Sequence, residues 1–285
     1  MANELLEFLI RGILLGVVYG LIAMPLTWVF VATDTVDLAI GGYAVLAAAV
    51  TAAAGGVAGI AAGIAAGTLV SAIMGLVFVA IARKGRLDPI SVVLASFGLI
   101  TALTSLVLWR WGKDPFIDRA LTGTVDVLGV PVRTQGVLNL AIAVFLVAAV
   151  TYGLNATPVG RSLRASAIRP AAAVIAGIPV LRLQFFTFIG GGLIASTAGI
   201  LIYYSTGLTY SSGLHLALVG LSAAVVFGMR SPAIGFLGGL TIGVVEAMAG
   251  GYLSGAVASA VPMIVILAAL LSGRLGTTSM AGARP

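Results

Sequence analysis

Stretches free of Asp, Glu, Lys and Arg occupy most of this chain: residues 12–33, 38–82, 89–109, 134–160 and 183–229, and then 231–273, interrupted only by Glu246. An α-helix rises about 1.5 Å per residue and a bilayer's hydrocarbon layer is about 30 Å thick, so one span takes about 20 residues. The three longest runs must therefore fold back, and each carries turn residues where it can do so. These are Gly55-Gly56, the stretch from Thr206-Gly207 to Ser211-Ser212-Gly213, and the stretch from Gly250-Gly251 to Ser254-Gly255. Two spans in each long run and one in each of the others predict about nine transmembrane helices, with eight to ten as the range once a re-entrant segment is allowed. Irregular backbone at membrane depth survives only under protein or beside a wet cavity, and the Gly-rich stretches 38–67 and 207–213 are where it is expected. The predicted class is an all-α, polytopic integral membrane protein forming one domain over residues 1–285. Small residues at four-residue spacing, such as Gly59, Gly63 and Gly67, and Ala195 and Gly199, predict helices that approach closely.

Charge placement orients the spans. Arg83, Lys84, Arg86, Arg161, Arg164, Arg169, Arg182, Arg230, Arg274 and Arg284 fall on one side by parity, and Arg11, Arg110, Lys113, Arg119 and Arg133 on the other. That split assigns the first side to the cytoplasm, with the N-terminus outside and the C-terminus inside. The formal charge of +6 is read as this topology signal and not as a nucleic-acid surface. Composition agrees, since 60% of the 285 residues are hydrophobic and only 8% charged. A cleaved signal peptide is not expected, because Glu4 and Glu7 precede Arg11 and no small-x-small site follows. The localisation expected is the cell inner membrane.

Enzymatic chemistry is not expected either. The chain has one histidine, His215, no cysteine and no paired carboxylates on one helix face at intramembrane depth, so neither catalytic nor metal-ligating residues are predicted and no cofactor is called for. The phosphate-cradling pattern G-x-x-x-x-G-K-[ST] is missing, so ATP-driven work would need a separate ATPase chain.

The most informative loop is 156–182, on the basic side between two long runs. Arg161, Arg164 and Arg169 alternate with small apolar residues, Pro170 can open a helix at its first turn, and Gly177 can close it at C′. A pair of short amphipathic helices is predicted. Such a pair can neutralise anionic membrane lipid or receive a partner.

Residues Gly160-Arg161-Ser162-Leu163-Arg164-Ala165-Ser166-Ala167, then Ala171-Ala172 and Gly177-Ile178-Pro179-Val180, and the span Leu183 to Gly199 resemble the cytoplasmic loop and following span of the branched-chain amino acid permease family of ABC transporters. Gly16 to Ala23, Asp37 to Gly42 and Gly235 to Ala247 extend the resemblance collinearly over about residues 12–273. It implies an ABC importer permease fold and a membrane subunit that moves small organic solutes: branched-chain or other hydrophobic amino acids, or related amides or urea. It further implies partner ATPase subunits, a second permease subunit, identical or homologous, and an extracytoplasmic solute-binding protein. Coupling to the ATPase falls to Gly160, Arg161, Arg164, Arg169 and Gly177. The chain departs from the family at Asp37, where Asn is usual, at Ile40 and Gly42, which replace His and Glu, and at Val219, where Lys is common.

Candidate solute-path residues are Asp37, Gly41, Gly42 and Glu246. Ionisable groups at membrane depth are costly and so mark function by default, yet each has a plainer role open to it. Asp37 can cap the helix it precedes, Glu246 can hold a structural hydrogen bond, and His215 can sit solvated in a turn. A self-sufficient secondary transporter or channel is the alternative class, with Glu246 as its one coupling carboxylate.

Overall fold

The computed structural model describes residues 2–271 except 85–87, 119, 120, 122, 128 and 254. Arg86, Arg119, Arg274 and Arg284 therefore lie outside the described residues. Among the described residues the regular elements are helices and one hairpin: α1 (Ala2–Thr33), α2 (Ile40–Ala54), α3 (Gly56–Arg83), α4 (Pro89–Trp111), β1 (Thr124–Val127), β2 (Val130–Arg133), α5 (Thr134–Ala156), α6 (Pro158–Ile168), α7 (Pro170–Ile175), α8 (Val180–Ser205), α9 (Ser212–Val226), α10 (Pro232–Tyr252) and α11 (Gly255–Leu271). Nine of these helices, all but α6 and α7, fall in the predicted apolar runs. Among the described residues, six are long and apolar enough to cross a membrane, while α2, α9 and the apolar part of α11 are shorter.

Backbone contact between glycines brings α1 and α10 together. Gly12, Gly16 and Gly20 stand one turn apart on α1, and Gly235, Gly239 and Gly243 do the same on α10. A Cβ on Gly239 would land on the backbone of Gly20, and one on Gly243 on the backbone of Gly16, so the two helices pack antiparallel at main-chain distance. The same spacing seats α3 on α2, where Gly59, Gly63 and Gly67 meet the α2 residues Thr51, Ala47 and Tyr43 in descending order. Ser71 of α3 then donates to the Phe188 carbonyl of α8 at 2.6 Å.

Two of the short helices, α2 and α9, follow stretches where the chain enters the bundle without helical structure. Ala32 lies beside Gln184, whose Nε2 donates to its carbonyl at 3.0 Å, near the start of α8. Ala44 packs on Gly199 in the second half of α8. Between Ala32 and Ala44 the chain thus climbs about half the length of α8, non-helical over residues 34–39 and pinned where Leu38 N donates to Ser96 Oγ of α4. Irregular backbone was expected within 38–67; it lies instead mostly ahead of that stretch, which is helical from Ile40 except at Gly55. In the second expected stretch, residues 206–211 are non-helical and α9 starts at Ser212.

Enclosure is uneven. Residues 40–49 of α2 are all buried, whereas α5 buries only Gln135, Asn139 and Ala143. Helix ends follow local chemistry. The Thr157 side chain accepts from Gly160 N ahead of Pro158, and α7 closes with Gly177 at φ +79°. There Gly177 N donates to Val174 O and Ile178 N to Ala173 O, the paired bonds of a Schellman cap.

Candidate functional site

Three groups of residues carry chemistry, and they lie at different levels of the bundle. The first is the α6–α7 pair. Leu163, Ser166 and Ala173 turn inward, and Leu163 clusters with Ala32 and Leu183. Arg161, Arg164 and Arg169 turn outward with Val159, Ile168, Val174 and Ile175, the last of them 88% exposed. Arg164 is partly held, its guanidinium donating to Asn155 Oδ1 at 2.9 Å. Gly160 is fixed by close approach, since a Cβ there would strike the carbonyls of Gly153 and Leu154. The pair thus presents basic and apolar side chains on a stem fastened to α1 and α8.

The second group surrounds Asp37. Its Oδ1 accepts from Ala39 N at 2.9 Å and its Oδ2 from the Tyr43 hydroxyl at 3.1 Å. A carboxylate that takes the first free N–H beside a helix start is favoured there by the helix dipole, so Asp37 serves the entry into α2 although the helix begins only at Ile40. Gly41 lies against the backbone of Gly213 and Ala217, and Gly42 against Ile100 and Leu103 of α4. These three candidates are together, buried where α2 crosses α9. Glu246 stands apart on α10. Its Oε1 accepts from the Tyr19 hydroxyl of α1 at 3.1 Å, and its Oε2 is buried without a hydrogen-bond partner. Glu246 alone interrupts an apolar run, yet Asp37 is the more buried at 1% exposed. A residue at the edge of an apolar run becomes deep when the chain climbs through 34–39 without forming a helix.

The third group was not foreseen. At the hairpin end, α1, β2, α5 and the facing ends of α8 and α9 line a half-open cavity of about 620 Å³. Its wall holds Gln135, Asn139, Ser205 and His215, with Arg11 and Arg133 at its edge. Arg11 also pairs with Glu7 at 2.5 Å. Gln135 and Asn139 recur four apart at the start of α5, ahead of the apolar stretch 140–150, which is the signal that marks them. Among the described residues no group of three or more His, Cys, Asp or Glu could hold a metal ion.

Comparison with known proteins places this architecture. The chain is 27% identical over 285 aligned positions to the probable branched-chain amino acid transport permease protein LivH of Methanocaldococcus jannaschii, covering 91% of this chain and 88% of that protein. It is 25% identical over 302 positions to the high-affinity branched-chain amino acid transport system permease protein LivH of Escherichia coli, covering 97% and 98%. The ribose import permease protein RbsC of Haemophilus influenzae is 24% identical and covers 74% of this chain and 65% of its own. The solved structure of PsaBC from Streptococcus pneumoniae, in complex with Fab, shares the fold with a TM-score of 0.52 at 11% identity, covering 95% of both chains. Residues 8–270 match the family model described as branched-chain amino acid transport system / permease component, and the chain belongs to that family of multi-pass ABC transporter permeases.

Proposed function

We propose that this chain is the membrane-spanning subunit of an ABC importer for branched-chain and other aliphatic amino acids, driven by separate ATPase subunits docked on α6–α7. The observation that carries this reading is the α6–α7 pair itself: two short, individually capped helices that keep Arg161, Arg164, Arg169, Val174 and Ile175 in the open while Leu163 anchors them to the bundle. An interface of that make-up suits a cleft with carboxylates at its rim and an apolar floor. The Lys/Arg split supports a cytoplasmic position for this pair, an outside N-terminus and an inside C-terminus. A second permease copy or homologue completes the pore in this reading, and a solute-binding protein meets the hairpin end, where Asp114 and Asp126 stand with Arg133.

The test is to substitute Arg161→Glu together with Arg164→Glu in the complete transporter. Losing a desolvated interfacial charge pair costs about 2–5 kcal/mol, so the variant is expected to reach the membrane while copurified ATPase and solute uptake both fall at least tenfold. Uptake at the parent rate would overturn the docking assignment.

A further inference from the structure

Two grooves flank the end of α5 nearest α6, and both are lined by Trp28, Leu154 and Leu163. The first, of about 140 Å³, runs between α5 and the start of α10 and carries Arg164 and Arg230, both exposed. No carboxylate is among the described residues that line it. Arg164 is folded over the end of α5, donating to Asn155 Oδ1 at 2.9 Å and to the Asn155 carbonyl at 3.4 Å. Ser231 is engaged as a cap, its hydroxyl accepting from Ile234 N at 3.3 Å, so ionic binding in this groove falls to the two guanidinium groups. Val31, Ala167 and Ala233 extend its apolar wall.

The second groove, of about 360 Å³, lies between α5 and α8 and is lined by Leu146, Val150, Leu193 and Ile194. Its one hydroxyl, on Thr157, donates to the Gly153 carbonyl at 2.6 Å. Leu193 and Val159 at its rim are 44% and 57% exposed, so it opens sideways onto the surroundings of the helices, which at this depth are hydrocarbon. Leu146 lies nine residues before Asn155 on α5, about 14 Å along the helix and close to half of a hydrocarbon layer about 30 Å thick. A polar solute would leave its hydrogen-bonding groups unmet on such a wall, whereas an acyl chain has none to satisfy. Basic pockets between helices at the cytoplasmic side suit anionic lipid head groups, and a guanidinium can hold a phosphate through two parallel hydrogen bonds.

We propose that the grooves beside α5 bind one anionic glycerophospholipid, its phosphate between Arg164 and Arg230 and an acyl chain laid over Trp28 and Leu154 toward Leu146 and Leu193. The lipid then seats α5 on the bundle, a helix that by itself buries only Gln135, Asn139 and Ala143. This site is separate from the solute route, and Arg230 lies outside the α6–α7 docking pair.

The test is native mass spectrometry of the full chain, stripped of lipid in detergent and titrated with dioleoyl phosphatidylglycerol, dioleoyl phosphatidylcholine or inorganic phosphate. One phosphatidylglycerol is expected to bind about tenfold or more tighter than phosphatidylcholine, the scale of two basic side chains beside an anionic lipid. Phosphate, which has no acyl chain, is expected not to bind at millimolar concentration. Arg164→Gln with Arg230→Gln should remove the preference for phosphatidylglycerol and leave phosphatidylcholine unchanged. Arg83→Gln with Lys84→Gln, an equal loss of charge at the same end, should leave both lipids unchanged. Equal binding of the two lipids by the parent, phosphate bound as tightly as phosphatidylglycerol, or equal losses in the two double variants would each overturn the site. A dimer that excludes the lipid would give the grooves to a second copy instead. If the first double variant fails to accumulate, Arg230→Gln alone decides, since that side chain is exposed. In the complete transporter Arg230→Gln is expected to keep the parent level of copurified ATPase; losing it together with the lipid would assign Arg230 to the docking surface and remove it from the lipid site.

Discussion

Asp37 accepts two hydrogen bonds at a position that is almost wholly buried, and that fixes what can replace it. An asparagine keeps one carbonyl oxygen for Ala39 N, while its amide can donate to a Tyr43 hydroxyl that has turned to accept. A leucine of similar size strands both donors, each at a cost of about 1–3 kcal/mol. Thermal unfolding in detergent should therefore leave Asp37→Asn within about 1 kcal/mol of the parent and show Asp37→Leu weaker by about 2–6 kcal/mol. Equal losses in the two variants would mean that charge, not hydrogen bonding, holds the residue. The family's usual Asn fits this account, and the sequence alone suggested capping. It could not show Tyr43 as the second partner, because that contact depends on where α2 begins. Gln135 and Asn139 were legible in principle, two amides one turn apart at the start of α5. Neither is ionisable, so the charge pattern does not mark them, and their worth lies in the hydrogen-bond chain to Ser205.

Helix positions were readable because apolar runs, Gly pairs and Pro-opened turns are local signals. The α6–α7 pair, with Pro158 and Pro170 at the starts and Gly177 in the left-handed cap, is the clearest case. What the pattern does not reveal is which apolar helix is enclosed. A side chain facing lipid and one facing another helix are both apolar, so α2, buried on all sides, and α5, open along most of its surface, read alike. Glycine packing separates them. A methyl group on Gly239 would collide with the backbone of Gly20, whereas one on Gly98 of α4 meets open space. Gly239→Ala should cost about 1–3 kcal/mol through overpacking, while Gly98→Ala should be neutral or stabilising by up to about 1 kcal/mol through helix propensity. Thermal unfolding of the two single variants checks this, and a Gly239→Ala chain as stable as the parent would remove close α1–α10 contact from the account.

The whole molecule sets a basic end, with α6–α7, Arg83, Arg182 and Arg230, against a hairpin end with the cavity lined by Gln135, Asn139, Ser205 and His215. Single cysteines at Ser162, on α6, and Thr124, on β1, should react with an impermeant thiol reagent from opposite sides of the membrane, Ser162→Cys only from the cytoplasm. Labelling of both from one side would break the topology. In the proposed function, solute enters at the hairpin end and ATP energy reaches the chain at the other end through α6–α7. The most direct measurement is radiolabelled leucine uptake into proteoliposomes holding this chain with its ATPase and solute-binding partners. Accumulation is predicted to require ATP on the α6–α7 side and to vanish when the ATPase is inactivated by substitution of its catalytic carboxylate. Leucine accumulation by this chain alone, driven by a proton or sodium gradient without ATP, would contradict the account.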